Sequence, residues 1–220
     1  MRVSWRAAAA IVLAGGSGSR VGAGANKVYL PLAGRPLISW SLALFSGLVE
    51  VGPVLLVARE QDRADAEAAV AGRAGAVEIV AGGASRQDSE LAGLRRLAPR
   101  IAAGEVDTVL IHDGARPLAG PELVRRVLAA AREGGGAVPA LARSDLVAAD
   151  PAGTPSGPAP DGLVAVQTPQ AFLAAPLLAA YEAAAGAGFS GTDTASCVAR
   201  FAPAVAVRAV PGDGRNFKIT

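Results

Sequence analysis

The chain has 220 residues, of which 51% are hydrophobic and 18% are charged, and its formal net charge is +2. This length suits one domain, and a hydrophobic content this high excludes a disordered chain. So small a positive charge, without a basic run, does not indicate a protein that binds nucleic acid or the membrane surface.

The first apolar run and the cysteine count indicate a cytoplasmic protein. Residues 7 to 16 are too few to span a bilayer, which takes about 20 residues. Arg2 and Arg6 precede this run as in a signal peptide, but a glycine-rich stretch follows instead of a clear cleavage site. Cys197 is the single cysteine, which excludes an internal disulfide or a cysteine metal cluster and is typical of a reducing compartment.

Short apolar runs typical of buried strands alternate with stretches of helical spacing. The predicted strands are Ala8–Leu13, Val54–Ala58, Val77–Val80, Thr108–Ile111, Ala137–Ala140, Val164–Val166 and Val205–Val210. The predicted helices are Pro36–Leu48, Gln61–Val70, Arg86–Ile101, Pro121–Arg132 and Pro176–Ala185. This alternation predicts a three-layer α/β fold, in which helices cover both faces of a mostly parallel, Rossmann-like sheet.

One segment after the fifth predicted strand breaks this rhythm. Ser144 to Gly162, "SDLVAADPAGTPSGPAPDG", is rich in proline and glycine and has too little apolar content for a core. Its composition is typical of a mobile surface loop, and it also suits a projecting β-hairpin arm with "DPAGTPSG" near the tip. We predict one domain over residues 1–220, with a hairpin arm inserted at residues 140–166.

The first predicted strand runs into a glycine-rich loop. Gly15, Gly16 and Gly18 follow the strand, and Arg20 and Lys27 add two positive charges. Glycine lets backbone N–H groups approach a ligand closely, and a loop between a strand and a helix attracts phosphate. Ligands of open α/β sheets bind at this end of the strands. The loop therefore predicts an anion site; the alternative is a tight turn, which would need neither cation.

Two familiar phosphate-binding motifs do not fit this loop. A P-loop ends in Gly-Lys-Ser/Thr, which is missing here. A dinucleotide-binding fingerprint needs a third glycine, where this chain has Val21, and an acidic residue about 20 positions further on, where none stands. A dehydrogenase is therefore disfavoured.

The loop resembles the signature of the sugar-nucleotide-type nucleotidyltransferases. More narrowly, it resembles the cytidylyltransferases that act on methylerythritol 4-phosphate in isoprenoid synthesis. Six blocks in register carry this resemblance over nearly the whole chain. They are "LAGGSGSRVGAGANKVYLPLAGRPL", "GGASRQDSELAGL" (Gly82–Leu94), "HDGARP" (His112–Pro117), "QTPQAF" (Gln167–Phe172), "TDTAS" (Thr192–Ser196) and "NFKIT" (Asn216–Thr220).

The resemblance implies a sheet of the nucleotide-diphospho-sugar transferase type, a homodimer joined by exchanged hairpin arms, and Mg²⁺ as cofactor. In the implied reaction a polyol phosphate attacks the α-phosphate of CTP and pyrophosphate leaves. In such a transfer the protein mainly positions the reactants and neutralises charge, and it contributes little covalent chemistry.

Each block then implies a role for particular residues of this chain. The nucleotide would be embraced by the glycine loop, namely Ala14, Gly15, Gly16, Ser17 and Gly18. Its base and ribose would be held by Gly83, Ala84 and Ser89. The catalytic contacts to its phosphates would come from Arg20, Lys27 and Lys218. Mg²⁺ and the ribose would lie by Asp113. The acceptor would be contacted by Arg116, Thr168 and Thr192.

Three positions depart from the family pattern. Asn26 stands where the family usually has proline. On the arm, Leu146 replaces a threonine and Pro160 replaces an arginine; in the family these two residues reach across from the partner's arm to the acceptor phosphate. Each lost contact would weaken acceptor binding by about 1–3 kcal/mol, unless a residue such as Arg143 substitutes.

These residues leave three functions to weigh. We expect a Mg²⁺-dependent cytidylyltransferase that acts on methylerythritol 4-phosphate. Leu146 and Pro160 leave open a paralogue that acts on another polyol or sugar phosphate, such as ribitol 5-phosphate. The third alternative is a nucleotide-binding protein without catalysis, against which the retained Arg20, Lys27 and Lys218 argue.

Several residues in these blocks could also serve the fold alone. Asp113 and Arg116 could form an internal ion pair. His112 is expected to be a structural hydrogen-bonding residue, Cys197 to lie in the core, and Asp193 to cap a helix N-terminus.

Overall fold

The described residues, 7–15, 26–71 and 77–220 of a computed structural model, form twelve strands and six α-helices. The strands are β1 (Ala7–Leu13), β2 (Pro31–Leu32), β3 (Arg35–Pro36), β4 (Val51–Ala58), β5 (Val77–Ala81), β6 (Val106–Asp113), β7 (Gly135–Ala142), β8 (Val147–Ala149), β9 (Pro155–Pro158), β10 (Val164–Val166), β11 (Gln170–Leu173) and β12 (Ala206–Pro211). The helices are α1 (Ile38–Ser46), α2 (Arg63–Val70), α3 (Arg86–Ala102), α4 (Pro121–Gly134), α5 (Ala174–Gly186) and α6 (Thr194–Phe201). None of these helices is long and apolar enough to cross a membrane.

Most of the strands belong to one mixed sheet in the order β10-β7-β11-β6-β1-β4-β5, and β12 pairs with β7. Strand β1 pairs in parallel with β4 and β6, and β5 pairs in parallel with β4. Strands β7 and β12 are also parallel, whereas β11 runs antiparallel to both β6 and β7. The predicted α/β class with a mostly parallel sheet is therefore confirmed.

Helices cover both faces of this sheet because successive side chains of a strand point to opposite faces. On β1, Val12 packs in one cluster with α1, α2 and α4. Its neighbours Ile11 and Leu13 pack in a second cluster with α3, α5 and α6. At Gly93, α3 lies so close to the sheet that a Cβ atom would be 2.9 Å from Cδ1 of Ile11. The two clusters confirm the three predicted layers.

All the predicted strands and helices occur, with shifted boundaries, but two points needed correction. Strands β2, β3 and β11 were not predicted: β2 and β3 have two residues each, and β11 begins with the polar Gln170 and so is not an apolar run. The predicted strand Val164–Val166 is not a buried parallel strand. It runs antiparallel to the end of β7, and Val164 and Val166 are exposed.

The proline-rich segment is a β-hairpin. Strands β8 and β9 pair antiparallel. At the turn between them Asp150 N–H donates to Thr154 O at 3.0 Å, and Thr154 N–H donates to Asp150 Oδ1 at 2.8 Å. Gly153 occupies the left-handed region there, with φ of 87°. The hairpin expectation is confirmed over residues 147–158, whereas the single domain and the arm boundaries at 140–166 stay predictions.

Candidate active site

A cavity of about 600 Å³ lies where the parallel strands end. Strands β1, β4, β5 and β6 run in the same direction, so the residues that follow them meet at one edge of the sheet. Of the residues predicted from the sequence, eight line this cavity: Ala14, Gly15, Lys27, Gly83, Ala84, Ser89, Asp113 and Lys218. Gly16, Ser17, Gly18 and Arg20 lie outside the described residues.

The loop between β5 and α3 forms one wall, and its glycines allow it to fold tightly against the helix. A Cβ atom at Gly83 would lie 2.2 Å from Cβ of Asp88. Ser85 caps α3 by accepting from Asp88 N–H at 3.0 Å. The Ser89 hydroxyl accepts from Gly83 N–H at 3.1 Å and donates to Ser85 O at 2.9 Å. The N-terminus of α3, which favours anions, therefore borders the cavity.

Lys27 enters the cavity from a short 3₁₀ helix, Lys27–Tyr29. The preceding Asn26 caps that helix by accepting from Val28 N–H at 3.4 Å. Its side-chain amide also donates to Ala14 O, at the exit of β1, at 2.5 Å. Asn26 is buried, so the departure from the family's proline has a structural use: it ties both ends of the glycine loop together.

Asp113, the last residue of β6, is surrounded by cations. Its Oδ1 accepts from Arg86 Nη1, and its Oδ2 lies 3.1 Å from Lys218 Nζ and 3.4 Å from Arg116 Nε. Burial would raise the pKa of this carboxyl, but the charges of Arg86 and Lys218 outweigh burial and hold the pKa well below its usual range. Asp113 is thus ionised at neutral pH, and its pairing with Arg116 agrees with the ion-pair alternative.

Arg86 was not predicted as a site residue, yet it links the cavity to a buried cluster. Its Nε donates to Glu90 Oε1 at 2.9 Å, and Thr194 Oγ1 donates to the same oxygen at 3.2 Å. The Tyr181 hydroxyl donates to Glu90 Oε2. Glu90 is only 1% exposed, and burial raises its pKa although Arg86 opposes the shift. This cluster joins α3, α5 and α6 to the carboxylate of Asp113.

His112 is a structural residue, as expected. Its Nε2 lies 3.2 Å from Arg116 O, and because a carbonyl oxygen only accepts, Nε2 carries the hydrogen. Its Nδ1 then accepts from the Thr168 hydroxyl at 3.2 Å, and that hydroxyl in turn accepts from Asp113 N–H at 2.9 Å. Burial lowers the pKa of His112 from 6.5 to about 4. The imidazole is neutral and holds Thr168 and Asp113 in register.

Lys218 reaches Asp113 because the segment that precedes it is tied down. Asn216 is fully buried, and its side chain donates to Thr168 O at 2.8 Å. The backbone carbonyl oxygen of Asn216 accepts from Arg116 Nη1 at 2.8 Å and from Gln167 Nε2 at 3.1 Å. The anchoring by Asn216 and Gln167 was not predicted, although both residues fall in the blocks that carry the family resemblance.

The predicted acceptor residues are not gathered in this cavity. Arg116 and Thr168 lie just behind Asp113 in the contacts given above. Thr192 is exposed and directly precedes Asp193, which caps α6 as expected by accepting from Ser196 N–H at 2.9 Å. Arg143 lies at the base of the arm and forms a forked pair with Asp145, with both distances 2.6 Å. The acceptor roles of all four residues stay predictions.

The cavity suits a magnesium ion that arrives with a phosphate ligand. Among the described residues, no three His, Cys, Asp or Glu side chains converge on one point. Asp113 is the one carboxylate in the described lining, and it is ionised. Mg²⁺ is commonly held by one or two carboxylates together with substrate phosphates and water. Asp113 fits that requirement.

Comparisons with known proteins give one consistent answer. The family "2-C-methyl-D-erythritol 4-phosphate cytidylyltransferase" (IspD) matches residues 8–220. A protein of that name from Cereibacter sphaeroides is 40% identical over 213 residues, which cover 96% of this chain and 91% of the relative. Another from Geobacter metallireducens is 40% identical over 215 residues, with the same coverage of both chains.

Solved structures agree with this assignment. The 4-diphosphocytidyl-2C-methyl-D-erythritol synthase of Anaerococcus prevotii superposes with a TM-score of 0.83 at 27% identity, covering 98% of this chain and 93% of that one. The 2-C-methyl-D-erythritol 4-phosphate cytidylyltransferase of Thermus thermophilus superposes with a TM-score of 0.70 at 30% identity, covering 96% and 91%. The chain therefore belongs to the 2-C-methyl-D-erythritol 4-phosphate cytidylyltransferase family.

Proposed function

We propose that this protein transfers CMP from CTP to 2-C-methyl-D-erythritol 4-phosphate, releases pyrophosphate and depends on Mg²⁺. The observation that carries the proposal is that the family match spans residues 8–220 while eight residues predicted from its blocks line one cavity. A nucleotide-binding protein without catalysis would have no need to bring Lys27, Lys218 and Asp113 together at that place.

The chemistry follows from the charges of the cavity. An oxygen of the acceptor phosphate attacks the α-phosphorus of CTP, a new P–O bond forms, and the bond to the β-phosphate breaks. The attacking oxygen is already anionic, so the reaction needs no general base. The neutral His112 therefore does not act as one. Lys27 and Lys218 neutralise the charge that builds up around the α-phosphorus and on the leaving pyrophosphate.

Asp113 would hold the magnesium ion, together with phosphate oxygens of CTP. Bound Mg²⁺ would neutralise part of the phosphate charge. The cations around Asp113 keep its carboxylate ionised and ready to bind a metal at neutral pH. Arg86 and Lys218 would each exchange part of their contact with Asp113 for contact with phosphate oxygens.

We assign 2-C-methyl-D-erythritol 4-phosphate as the acceptor because the family and the relatives are named for it. Leu146 lies partly exposed on the arm, where the family has a threonine, and Pro160 follows on the return side of the hairpin. Because these two residues depart from the family pattern, a related polyol phosphate, such as ribitol 5-phosphate, is the second acceptor to test. Arg143 is the cation nearest to them along the chain, and its pairing with Asp145 would have to open for it to contact a phosphate.

We also propose a cytoplasmic homodimer joined through the arms. Five large apolar side chains on the arm and its base are exposed: Leu146, Val147, Leu163, Val164 and Val166. A second copy that packs on this surface would remove it from water, which is favourable in proportion to the apolar area buried. The same contact would bring each arm to the acceptor side of the other subunit.

Pyrophosphate release tests the proposed function. The assay combines the protein, CTP and Mg²⁺ with 2-C-methyl-D-erythritol 4-phosphate, ribitol 5-phosphate or no acceptor, and a parallel series contains EDTA. We expect release with the first acceptor only, and only with the metal. Release with ribitol 5-phosphate alone would identify the paralogue. CTP binding without release from any acceptor would support a nucleotide-binding protein.

A further inference from the structure

Arg59 is a cation of the cavity that the sequence analysis did not identify. It directly follows β4, which lies in the sheet between β1 and β5. It lines the cavity beside residues that follow those two strands, such as Gly15 and Gly83. Its side chain is 27% exposed. Arg59 is therefore partly withdrawn from water, and it follows the strand that lies between those carrying the predicted phosphate loop and the predicted base loop.

A buried carboxylate holds the Arg59 guanidinium in a fixed orientation. Asp62 is 7% exposed and accepts from Arg59 Nε at 2.7 Å and from Nη2 at 2.9 Å. This forked pairing leaves the donors on Nη1 unengaged by Asp62. A side chain oriented in advance loses less rotamer freedom when it contacts a ligand.

The same carboxylate connects Arg59 to the glycine loop. Asn26 Nδ2 donates to Asp62 Oδ2 at 2.8 Å and to Ala14 O at 2.5 Å. Ala14 and Asn26 are the two ends of the glycine loop, and Lys27 follows Asn26. One hydrogen-bonded cluster, in which Asn26 and Asp62 are buried and Arg59 is partly exposed, therefore links the loop ends and Lys27 to the Arg59 guanidinium.

We infer that Arg59 is a further residue for binding the triphosphate of CTP, and that Asp62 and Asn26 are the residues that position it. This inference rests on the proposed function. Four cations, Lys27, Arg59, Arg86 and Lys218, line the described part of the cavity against the one carboxylate of Asp113. Arg86 and Lys218 both contact Asp113, whereas Arg59 has its own carboxylate and can donate to phosphate without disturbing the metal side.

A binding test separates this role of Arg59 from two alternative roles. If Arg59 only balanced the buried charge of Asp62, its loss would lower stability and leave nucleotide affinity intact. If Arg59 contacted the cytosine base, its loss would weaken cytidine and CTP equally. A ladder of ligands, namely cytidine, CMP, CDP and CTP, distinguishes the three roles because only the number of phosphates changes along it.

The experiment is calorimetric titration of this ladder, with Mg²⁺, into the wild type, Arg59→Met and the control Arg63→Met. Arg63 lies in α2, pairs with the exposed Glu67 and does not line the cavity. We expect Arg59→Met to raise the Kd of CTP about 10-fold, which corresponds to about 1.4 kcal/mol. Its Kd for cytidine, and all values for Arg63→Met, should stay within about twofold of the wild type.

An unchanged Kd for CTP, or an equal loss for cytidine and CTP, would overturn the inference. Arg59→Lys keeps a cation beside Asp62, so it provides a folded variant to test even if Arg59→Met does not fold. Because an ammonium lacks the fork, this variant should still lose about threefold in CTP affinity; full affinity would also count against the inference. Wild-type pyrophosphate release, measured alongside, shows whether the proposed function itself stands.

Asp62 is tested by a double-mutant cycle. Asp62→Asn should weaken CTP binding about threefold in the wild type, because the guanidinium loses its charged partner. In the Arg59→Met background the same change should weaken CTP binding clearly less, because only the contact of Asp62 with Asn26 is then left to lose. An equal loss in both backgrounds would mean that Asp62 does not act through Arg59, and would remove its positioning role.

Discussion

The ammonium group of Lys218 lies 3.1 Å from Oδ2 of Asp113. One is the proposed catalytic cation, and the other is the proposed magnesium ligand. In the structure each neutralises the other, and Arg86 completes the pairing from the other oxygen of the carboxylate. On the proposed function, nucleotide binding would divide this cluster: the carboxylate would bind the metal and the cations would bind phosphate.

Asp113→Asn should separate these two roles. We expect kcat for pyrophosphate release to fall about 100-fold or more, because the metal loses its carboxylate. In EDTA the same variant should bind CTP at least as tightly as the wild type, because a negative charge beside the triphosphate is gone. Asp107→Asn is the control, because Asp107 lies in β6 like Asp113 but pairs with Arg132 of α4. Turnover of Asp113→Asn within about tenfold of the wild type would contradict the metal assignment.

Glu90→Gln should lower the free energy of unfolding more than the same substitution at an exposed glutamate does. The carboxylate of Glu90 accepts from Arg86, Tyr181 and Thr194, and an amide would turn its NH₂ group toward one of these donors. We expect the free energy of unfolding to fall by about 2 kcal/mol in urea titrations. Glu182→Gln, which removes an exposed partner of Arg95, should cost less than about 1 kcal/mol. Equal losses for the two variants would show that the buried cluster does not stabilise the fold.

Because His112 is buried, the free energy of unfolding should depend on pH in the acidic range. Its pKa is lowered from 6.5 to about 4, so the folded state favours the neutral imidazole. The stability that this gives is fully present above pH 6.5 and is lost as the pH falls toward 4, by about 3 kcal/mol in all. Urea unfolding of the wild type and of His112→Gln at several pH values tests this. The difference between the two should shrink as the pH falls, and parallel curves would contradict the prediction.

Val147→Glu should separate the proposed dimer. Val147 is 65% exposed on the arm, and a carboxylate there would be buried against the second copy without a partner. Light scattering should give a dimer mass for the wild type and a monomer mass for the variant. Val49→Glu, at a position 95% exposed and outside the arm, should stay dimeric. A wild type that is monomeric, or a variant that stays dimeric, would rule out the arm contact.

Much of the candidate site could be predicted because its signals are local. The glycine loop, the carboxylate at the end of an apolar strand and the capped start of α3 each occupy a few consecutive residues. In a parallel sheet, those residues must meet at one edge. The fold class followed from the same local alternation of strands and helices.

The rest depends on contacts between distant parts of the chain. Glu90 reads as one more polar residue of a helix, and its partners Tyr181 and Thr194 lie 91 and 104 positions away. Arg59 reads as an ordinary arginine after a strand, because Asp62 and Asn26 become its neighbours only in the folded protein. Strand β11 was not predicted because it begins with the polar Gln170 and is not a continuous apolar run.

The order of strands also gives the one sheet two sides that differ in strand direction. Strands β1, β4, β5 and β6 form the parallel side that ends at the cavity, and β7, with its antiparallel neighbours β10 and β11, forms the mixed side from which the arm extends. Among the described residues, none of the side-chain hydrogen bonds given above for the cavity comes from the arm. On the proposed arrangement, in which the arm contacts the acceptor, substitutions on the arm would change the acceptor and leave the residues around the CTP cavity as they are; Leu146 and Pro160 are two such positions.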